Sequence, residues 1–411
     1  MVGSKNSKRH KQALPVIIPR AKHNISRTAI NKNVLKVLYR LRDEGFAAYL
    51  VGGCIRDLLC GLRPKDFDVA TDARPNQVKK IFHNCRLIGK RFRLAHICFG
   101  DGIVEVATFR GQSNDCEHRA HSMQGMILRD NVYGTIEEDA FRRDFTLNAL
   151  YYDIGDFSLF DYTGGIRDFN ERMIRVIGDP VERYHEDPVR MLRALRIAAK
   201  LGFALEAKTK RPIKGLVGLL QNVSPARLFD EVNKWFRGGK SWETFELLRH
   251  YGLFAALFPQ AEAELAGAHA KFAMDLLKQA FINTDHRIAE GKKNNAAFLF
   301  AVLLWWPLQD YLEHHVKKVA HYHAFMEAWH VIIKRQQARI TIPHRLVSTI
   351  REIWHLQYHL EKCHGKKADA LLKHMRFRAA YDFLVLRAHA EEKLRKIAEW
   401  WGEKQCIMNS E

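Results

Sequence analysis

The chain has 411 residues, 47% hydrophobic and 27% charged, enough apolar material for ordinary cores and too much for a disordered chain. Lys and Arg outnumber Asp and Glu by 66 to 46, and the resulting +20 charge points to a polyanionic partner, nucleic acid or anionic lipid. Integral membrane insertion, a disulfide framework and a structural zinc site are not expected. The longest unbroken apolar run, 296–308, has 13 residues and holds Pro307, against about 18 residues for a bilayer span. The seven cysteines form no C-x-x-C pair, and no apolar leader follows the basic N-terminus, so a reducing compartment is expected.

At about 150 residues per domain the length predicts two or three domains. Eleven Lys or Arg and no acid precede Asp43, and residues 1–28, with Pro15 and Pro19, read as a flexible basic arm. From Ile30 to Asp43 the positions Val34, Leu35, Val37, Leu38 and Leu41 keep a helical period. Ala47 to Val51 reads as a buried strand running into Gly52-Gly53, then a short helix (Ile55, Leu58, Leu59) closed by Gly61. Phe67–Thr71 reads as a strand, and Pro75 opens a helix carrying Val78, Ile81 and Phe82. Further strands are expected at His96–Phe99 and Ile103–Phe109, and a turn at Asp161–Gly165. Beyond about residue 180 the strand patterns fade and the chain reads as helical. The expected architecture is an α/β head, a small mixed sheet with helices, followed by an all-α neck and body. The boundaries read as head 29–178, neck 179–245, body 246–395 and tail 396–411.

The strongest chemical signal is Lys65-Asp66-Phe67-Asp68-Val69. On a strand, Asp66 and Asp68 share one face while Phe67 and Val69 face a core. Two adjacent anions repel, so a cation between them makes sense of the pair, and hard oxygen ligands favour Mg²⁺. Upstream, strand–Gly52-Gly53–helix offers small residues and backbone N–H groups to a triphosphate, and Arg56 adds a charge-assisted contact. Such a Gly-Gly is equally a plain turn. Downstream, Glu105 sits inside the alternating strand Val104-Glu105-Val106, either as a third carboxylate or as an exposed-face strand residue. Three carboxylates beside a phosphate seat suit two-metal phosphoryl transfer.

Leu50-Val51-Gly52-Gly53, Arg56-Asp57 and Asp66–Thr71 together resemble the head of the class II nucleotidyltransferases of the polymerase β superfamily. Arg142-Arg143-Asp144-Phe145-Thr146-Leu147-Asn148-Ala149 is similar to that family's ribose-recognition motif, so Arg143 and Asp144 are implied nucleotide contacts. Glu186-Asp187-Pro188-x-Arg190-x-Leu192-Arg193-Ala194-x-Arg196 is similar to its base-recognition helix, implying nucleotide roles for Asp187, Arg190 and Arg193. Read without the family, that stretch is an N-capped helix with Leu192, Leu195 and Ala199 inward and a solvated basic face. Cys54 departs from the pattern, standing where the family often has a third glycine, and keeps the turn only with negative φ.

Leu87-Ile88-Gly89-Lys90-Arg91-Phe92-Arg93-Leu94-Ala95-His96 is similar to the signature of the bacterial poly(A) polymerases, and stretches 342–354 and 373–382 resemble their C-terminal region. The resemblance implies template-independent addition of AMP from ATP to RNA 3′ ends. It also implies two Mg²⁺ held by Asp66, Asp68 and Glu105, a cytoplasmic setting, and a link to RNA-degradation machinery. The rival within the class is CCA addition to tRNA; from outside it, an RNA-binding protein without catalysis. Lys366, Lys367, Lys373, Arg376 and Arg378, interleaved with Phe377 and Tyr381, read as an RNA track or as a solvated face over core aromatics. Trp305-Trp306 reads as core, and the histidines at 314, 315, 321, 323 and 330 have poor spacing for a metal.

Overall fold

The structure is a computed structural model, and it describes residues 14–89, 93–100, 102–111, 119–121, 127–130, 132–315, 321–362 and 365–410. Two compact units divide the chain: residues 1–190 with 201–212, and residues 191–200 with 213–411. The segment 179–245, read from the sequence as a neck, is therefore shared between them.

In the first unit the described strands are β1 (Val16–Ile18), β2 (Ala48–Val51), β3 (Asp68–Thr71), β4 (Cys85–Ile88), β5 (Leu94–Phe99), β6 (Gly102–Thr108), β7 (Arg119–His121), β8 (Ile127–Asp130), β9 (Leu150–Asp153), β10 (Leu159–Asp161) and the short parallel pair β11 (Met173–Ile174) and β12 (Ala204–Leu205). Eight of them form one sheet in the order β1-β10-β9-β2-β3-β6-β5-β4, and β7 with β8 makes a separate ribbon. Within the large sheet β3 and β6 run parallel and every other pair is antiparallel. Strand alternation separates two faces. Leu50, Val69, Val104, Val106 and Tyr152 join a core with Val34, Val37, Leu38 and Leu41 of α1 (Lys32–Asp43), Ile55 and Leu58 of α2 (Gly53–Leu59), and Val78 of α3 (Pro75–Ile81). The opposite face carries Val51, Ala70, Phe109, Ala149 and Tyr151, packed with Ala140 of α4 (Ile136–Arg142).

Helix ends follow the local chemistry. Pro75 is the first residue of α3, and Thr135 with Glu138 forms a reciprocal cap on α4. Asp161 accepts from the backbone N–H groups of Thr163, Gly164, Gly165 and Ile166, turning the chain into α5 (Gly165–Asn170). Then come α6 (Pro180–Glu186) and α7 (Val189–Leu201), the helix along which the chain passes from one unit to the other.

Three features depart from the sequence reading. The arm expected over 1–28 contains β1, paired antiparallel with β10, and Ile25 at 1% exposure. Pro15 and Pro19 flank that strand at a sheet edge, where a missing N–H costs no ladder bond. β3 begins at Asp68 rather than Phe67, leaving Asp66 in the preceding loop. Leu87 and Ile88 of the basic signature belong to strand β4, while Lys90, Arg91 and Phe92 lie outside the described residues.

The second unit is helical throughout its described residues, with long helices at Pro225–Phe236, Ala270–Ala289, His321–Gln337, His344–Lys362, Phe377–Ala390 and Arg395–Ser410. Its interior is aromatic: Trp235 lies 5.2 Å from Phe281 and Phe245 4.9 Å from Phe254, ring centre to ring centre. The long apolar run breaks at Leu304 into Ala296–Leu303 and Trp305–His315, and among the described residues no helix is long and apolar enough to cross a membrane.

Candidate active site

Where β2 ends, Gly52 turns the chain with φ +86°. A Cβ at that position would stand 3.2 Å from Asp68 Oδ2 and 3.7 Å from Arg143 Nη1, so loop backbone, carboxylate and guanidinium share one small space. Cys54 lies in the first turn of α2 with ordinary negative φ, and Gly52 alone supplies the positive φ of the turn. Burial, then the charge of Asp68, push the Cys54 thiol up to about 12, and it donates to Val51 O at 3.2 Å.

Strand register builds the rest. Tyr151 pairs with Val51, Val51 with Asp68, Asp68 with Glu105, and Glu105 with His96. Partners in register share a face, so these five side chains stand in one row across β9, β2, β3, β6 and β5. Asp68 and Glu105 are exposed, whereas their neighbours Val69 and Val106 point into the core at 0% and 2% exposure. Adjacent strands are about 4.8 Å apart, close enough for two carboxylates to repel unless cations or donors balance them. His96 Nε2 is 3.3 Å from Glu105 Oε1, without hydrogen-bond geometry.

This corrects one expectation. Asp66 is exposed in the loop before β3, so strand alternation does not align it with Asp68. Among the described residues no three His, Cys, Asp or Glu side chains gather into a ready cation cage. The chain offers a register-fixed pair of hard carboxylates beside a turn that a Cβ would fill. That donor set fits Mg²⁺, which keeps waters and substrate phosphate oxygens among its ligands.

Beside the row lies a network that the sequence reading missed. Tyr151 OH donates to Asp139 Oδ2 at 2.6 Å, and Arg143 Nε donates to Tyr151 OH at 2.9 Å. Arg143 Nε and Nη2 also reach Asp139 Oδ2 at 3.0 and 2.8 Å, and Arg110 N donates to Asp139 Oδ1. Burial opposes the charge on Arg143, but Asp139 and Tyr151 outweigh it and raise its pKa. Burial likewise opposes ionisation of Asp139, but Arg143, Tyr151 and Arg110 together outweigh it, holding the carboxyl below its usual range. Burial drives the Tyr151 phenol well upward, so it stays protonated as a donor. Only the i, i+4 spacing of Asp139 and Arg143 was available as a signal.

Arg183 anchors a second layer. Its Nη2 donates to Arg142 O at 2.7 Å and Arg143 O at 2.6 Å, and its Nη1 to Glu186 Oε2 at 2.6 Å. Arg190 Nη1 donates to the same Glu186 oxygen at 3.0 Å and to Arg183 O at 2.7 Å. Burial, then the charge of Arg190, bring Arg183 down to about 10. Asp187 is extended between α6 and α7, and its carbonyl accepts from Arg190 N at 3.0 Å.

Other implied contacts fall differently. Arg56, expected at the triphosphate, is 6% exposed: Nε and Nη2 hold Asp57 Oδ1 at 3.0 and 2.7 Å, and Nη1 holds Asn148 Oδ1 at 2.8 Å. It ties α2 to the 144–148 turn, where Asp144 Oδ1 accepts from Phe145 N and Asn148 Nδ2. Arg193 belongs to the second unit, where its charge, with those of Arg196 and Lys234, outweighs burial and keeps Glu231 ionised below its usual range. In that unit Lys367 and Lys373 are exposed, Arg376 pairs with Glu352 and Arg378 with Asp382; the Lys366 side chain lies outside the described residues. Phe377, expected as a stacking surface, is 5% exposed between Tyr381 and Trp401, because its face of the helix points into the core.

Three family models match the chain: "Poly A polymerase head domain" over residues 48–175, "Probable RNA and SrmB- binding site of polymerase A" over 202–265, and "Polymerase A arginine-rich C-terminus" over 317–410. The poly(A) polymerase I of Salmonella typhi is 48% identical over 398 residues, 95% of this chain and 86% of that one. The chain belongs to the poly(A) polymerase I family. As a member it is a nucleotidyltransferase that binds RNA and polyadenylates RNA 3′ ends. The CCA-adding enzyme of Bacillus licheniformis is 37% identical over 223 residues, 54% of each chain. Among solved structures, the CCA-adding enzyme of Bacillus stearothermophilus in complex with CTP superposes with a TM-score of 0.61 at 25% identity, over 90% of this chain and 82% of that one. Poly(A) polymerase relatives thus match nearly the whole chain, and the CCA-adding relative about half.

Proposed function

We propose that the Asp68–Glu105 row beside the Gly52 turn is where an RNA 3′-hydroxyl meets ATP, and that AMP is added without a template. The observation that supports this most is the register itself: two exposed carboxylates on neighbouring parallel strands, one of them beside the space a Cβ at the Gly52 turn would fill. Asp68 and Glu105, with Asp66, would hold Mg²⁺, whose chemistry there is to lower the pKa of the 3′-hydroxyl and neutralise the triphosphate. The Gly52-Gly53 turn takes the triphosphate, and Arg143, kept charged by Asp139 and Tyr151, stands beside it as a fixed cation. The 3′-hydroxyl loses its proton to a carboxylate of the row or to water, its oxygen bonds to the α-phosphorus, the α–β bridge breaks, and pyrophosphate leaves.

Asp187 as acceptor and Arg190 as donor match the amino group and ring nitrogen of adenine. Glu186 and Arg183 O fix the direction of the Arg190 fork. Arg56 and Asp144 brace the turn around the nucleotide, and Arg193, beside Glu231, has no part in this reading. On the family resemblance, the activity is read as cytoplasmic and as supplying tailed RNA to degradation machinery. The test is a short RNA primer with Mg²⁺ and each nucleoside triphosphate in turn. Long extension with ATP and little with CTP is expected. Addition of two C and one A to tRNA would replace polyadenylation by CCA addition.

A further inference from the structure

The carboxylate row does not end at His96. His96 pairs with Arg86 of β4, the last strand in the sheet order, so one polar row runs Asp68, Glu105, His96, Arg86 to the sheet's edge. Arg86 is exposed and, among the described residues, makes no ion pair. A charged residue on an edge strand by itself does no more than discourage other strands from pairing there. This one closes a row whose inner members are the candidate carboxylates. It stands about 10 Å from Glu105, two strand spacings along the row.

Two residues along each strand, on the same face, lies a second row: Ala70, Ala107, Leu94 and Ile88. Ala70 is buried in a core with Ala140, Ala107 and Leu94 are half-buried, and Ile88 is 40% exposed, so this apolar row opens toward the edge that carries Arg86. An apolar strip beside a polar one that ends in a cation has the layout of a single-strand site: sugar and base lie on apolar surface, and charge tracks the backbone. The two sides of the carboxylates also differ. The Gly52 turn and Arg143 occupy the β2 side, the side of the triphosphate in the proposed reaction, and the β5–β4 side has no part in it. Carboxylates repel a strand's own phosphates, so RNA arriving from that side needs a cation set back from the reacting atoms. Arg86 supplies one, with a fork that pairs with phosphate in two bonds.

We propose that the strip from His96 to Arg86 and Ile88 holds the 3′-terminal nucleotides of the RNA primer, with Arg86 on one of the last phosphodiesters. The proposal rests on the reading that Asp68 and Glu105 mark the reacting centre. The test uses the full chain and oligoadenylate primers with one neutral methylphosphonate at the first, second or third linkage from the 3′ end. Kd is measured without nucleotide, and KM in primer extension. In wild type, neutralising one of these linkages should weaken binding about fivefold and neutralising the others about twofold or less. Arg86→Gln should raise the Kd and KM of the unmodified primer about fivefold, leave the ATP KM within about twofold, and no longer distinguish the three modified primers. Wild-type Kd in Arg86→Gln overturns the proposal, as does the absence of any linkage preference in wild type. Weakening of every primer alike by Arg86→Gln, with the preference kept, would reduce Arg86 to long-range attraction and overturn it too. Asp68→Asn is run in parallel. Substantial extension there overturns the underlying reading, whereas its loss beside an unresponsive Arg86→Gln removes the primer strip alone.

Discussion

Gly52→Ala separates the fold's need for that turn from the chemistry's need. The substitution carries two penalties. At φ +86°, ψ −146°, Gly52 occupies a region essentially reserved for glycine, and an alanine forced there costs about 1–3 kcal/mol. The new methyl would also stand 3.2 Å from Asp68 Oδ2. The Asp68 backbone is held by ladders to both β2 and β6, so the carboxylate itself must turn aside by a few tenths of an ångström. In a unit of roughly 200 residues, about 1–3 kcal/mol lowers Tm by about 2–12 °C. A mis-aimed carboxylate should cost about 10- to 100-fold in kcat. Gly45→Ala is the control: φ is +84°, yet a Cβ there meets nothing within 4 Å. Thermal melts and steady-state primer extension, run well below both midpoints, should show Tm loss in both variants and kcat loss in Gly52→Ala alone. Wild-type kcat in Gly52→Ala would refute the idea that the turn and Asp68 share the reacting space, and an equal kcat loss in Gly45→Ala would show that any strained turn suffices.

Asp68→Asn should lower extension by at least about a hundredfold while RNA affinity stays near wild type, and Glu105→Gln should lose most activity; substantial extension by Asp68→Asn would remove the metal assignment. Asp139 has its pKa depressed in the fold, so its contribution to stability is present above the unfolded value of about 3.9 and is lost as pH falls through the folded one. Tm measured from pH 6 down to pH 3 should therefore fall on an acid limb that Asp139→Asn flattens; an unchanged limb would place that titration elsewhere. RNA affinity should weaken with salt, and Lys373→Ala with Arg378→Ala should reduce the slope of log Kd against log salt by about 0.7 for each phosphate that is no longer neutralised. An unaltered slope would move the RNA track off this helix.

How far the sequence could be read depended on the range of the interaction. Helix α1 was visible from its stripe, since Val34, Val37, Leu38 and Leu41 are all buried in one core. The alternation around Asp68 and Glu105 told which side chains face outward, but their parallel pairing depends on a connection of more than thirty residues that periodicity does not encode. Strand β1 was obscured by composition: three apolar residues between prolines in a basic stretch look like a tail until β10 supplies an edge. The same limit explains Arg56, whose second partner, Asn148, is 92 residues away. Phe377 and Tyr381, four apart on a helix, fit an inward face as well as an RNA-stacking one, and only the packing of Trp401 against Phe377 decides for the core.

The pairing of β3 with β6 has a consequence for errors in folding. A slip of one residue between these strands would turn Asp68 or Glu105 toward the apolar interior and bring a valine out to water. Burying a lone carboxylate costs several kcal/mol, far more than the slipped ladder could recover. A sheet assembled out of alignment is therefore unstable, and does not persist as a folded chain with its carboxylates misplaced. Proofreading of the carboxylate spacing is delegated to Val69 and Val106, residues of the buried core. Quality control that detects only exposed apolar surface would, in this head, also be removing chains in which Asp68 and Glu105 are out of line.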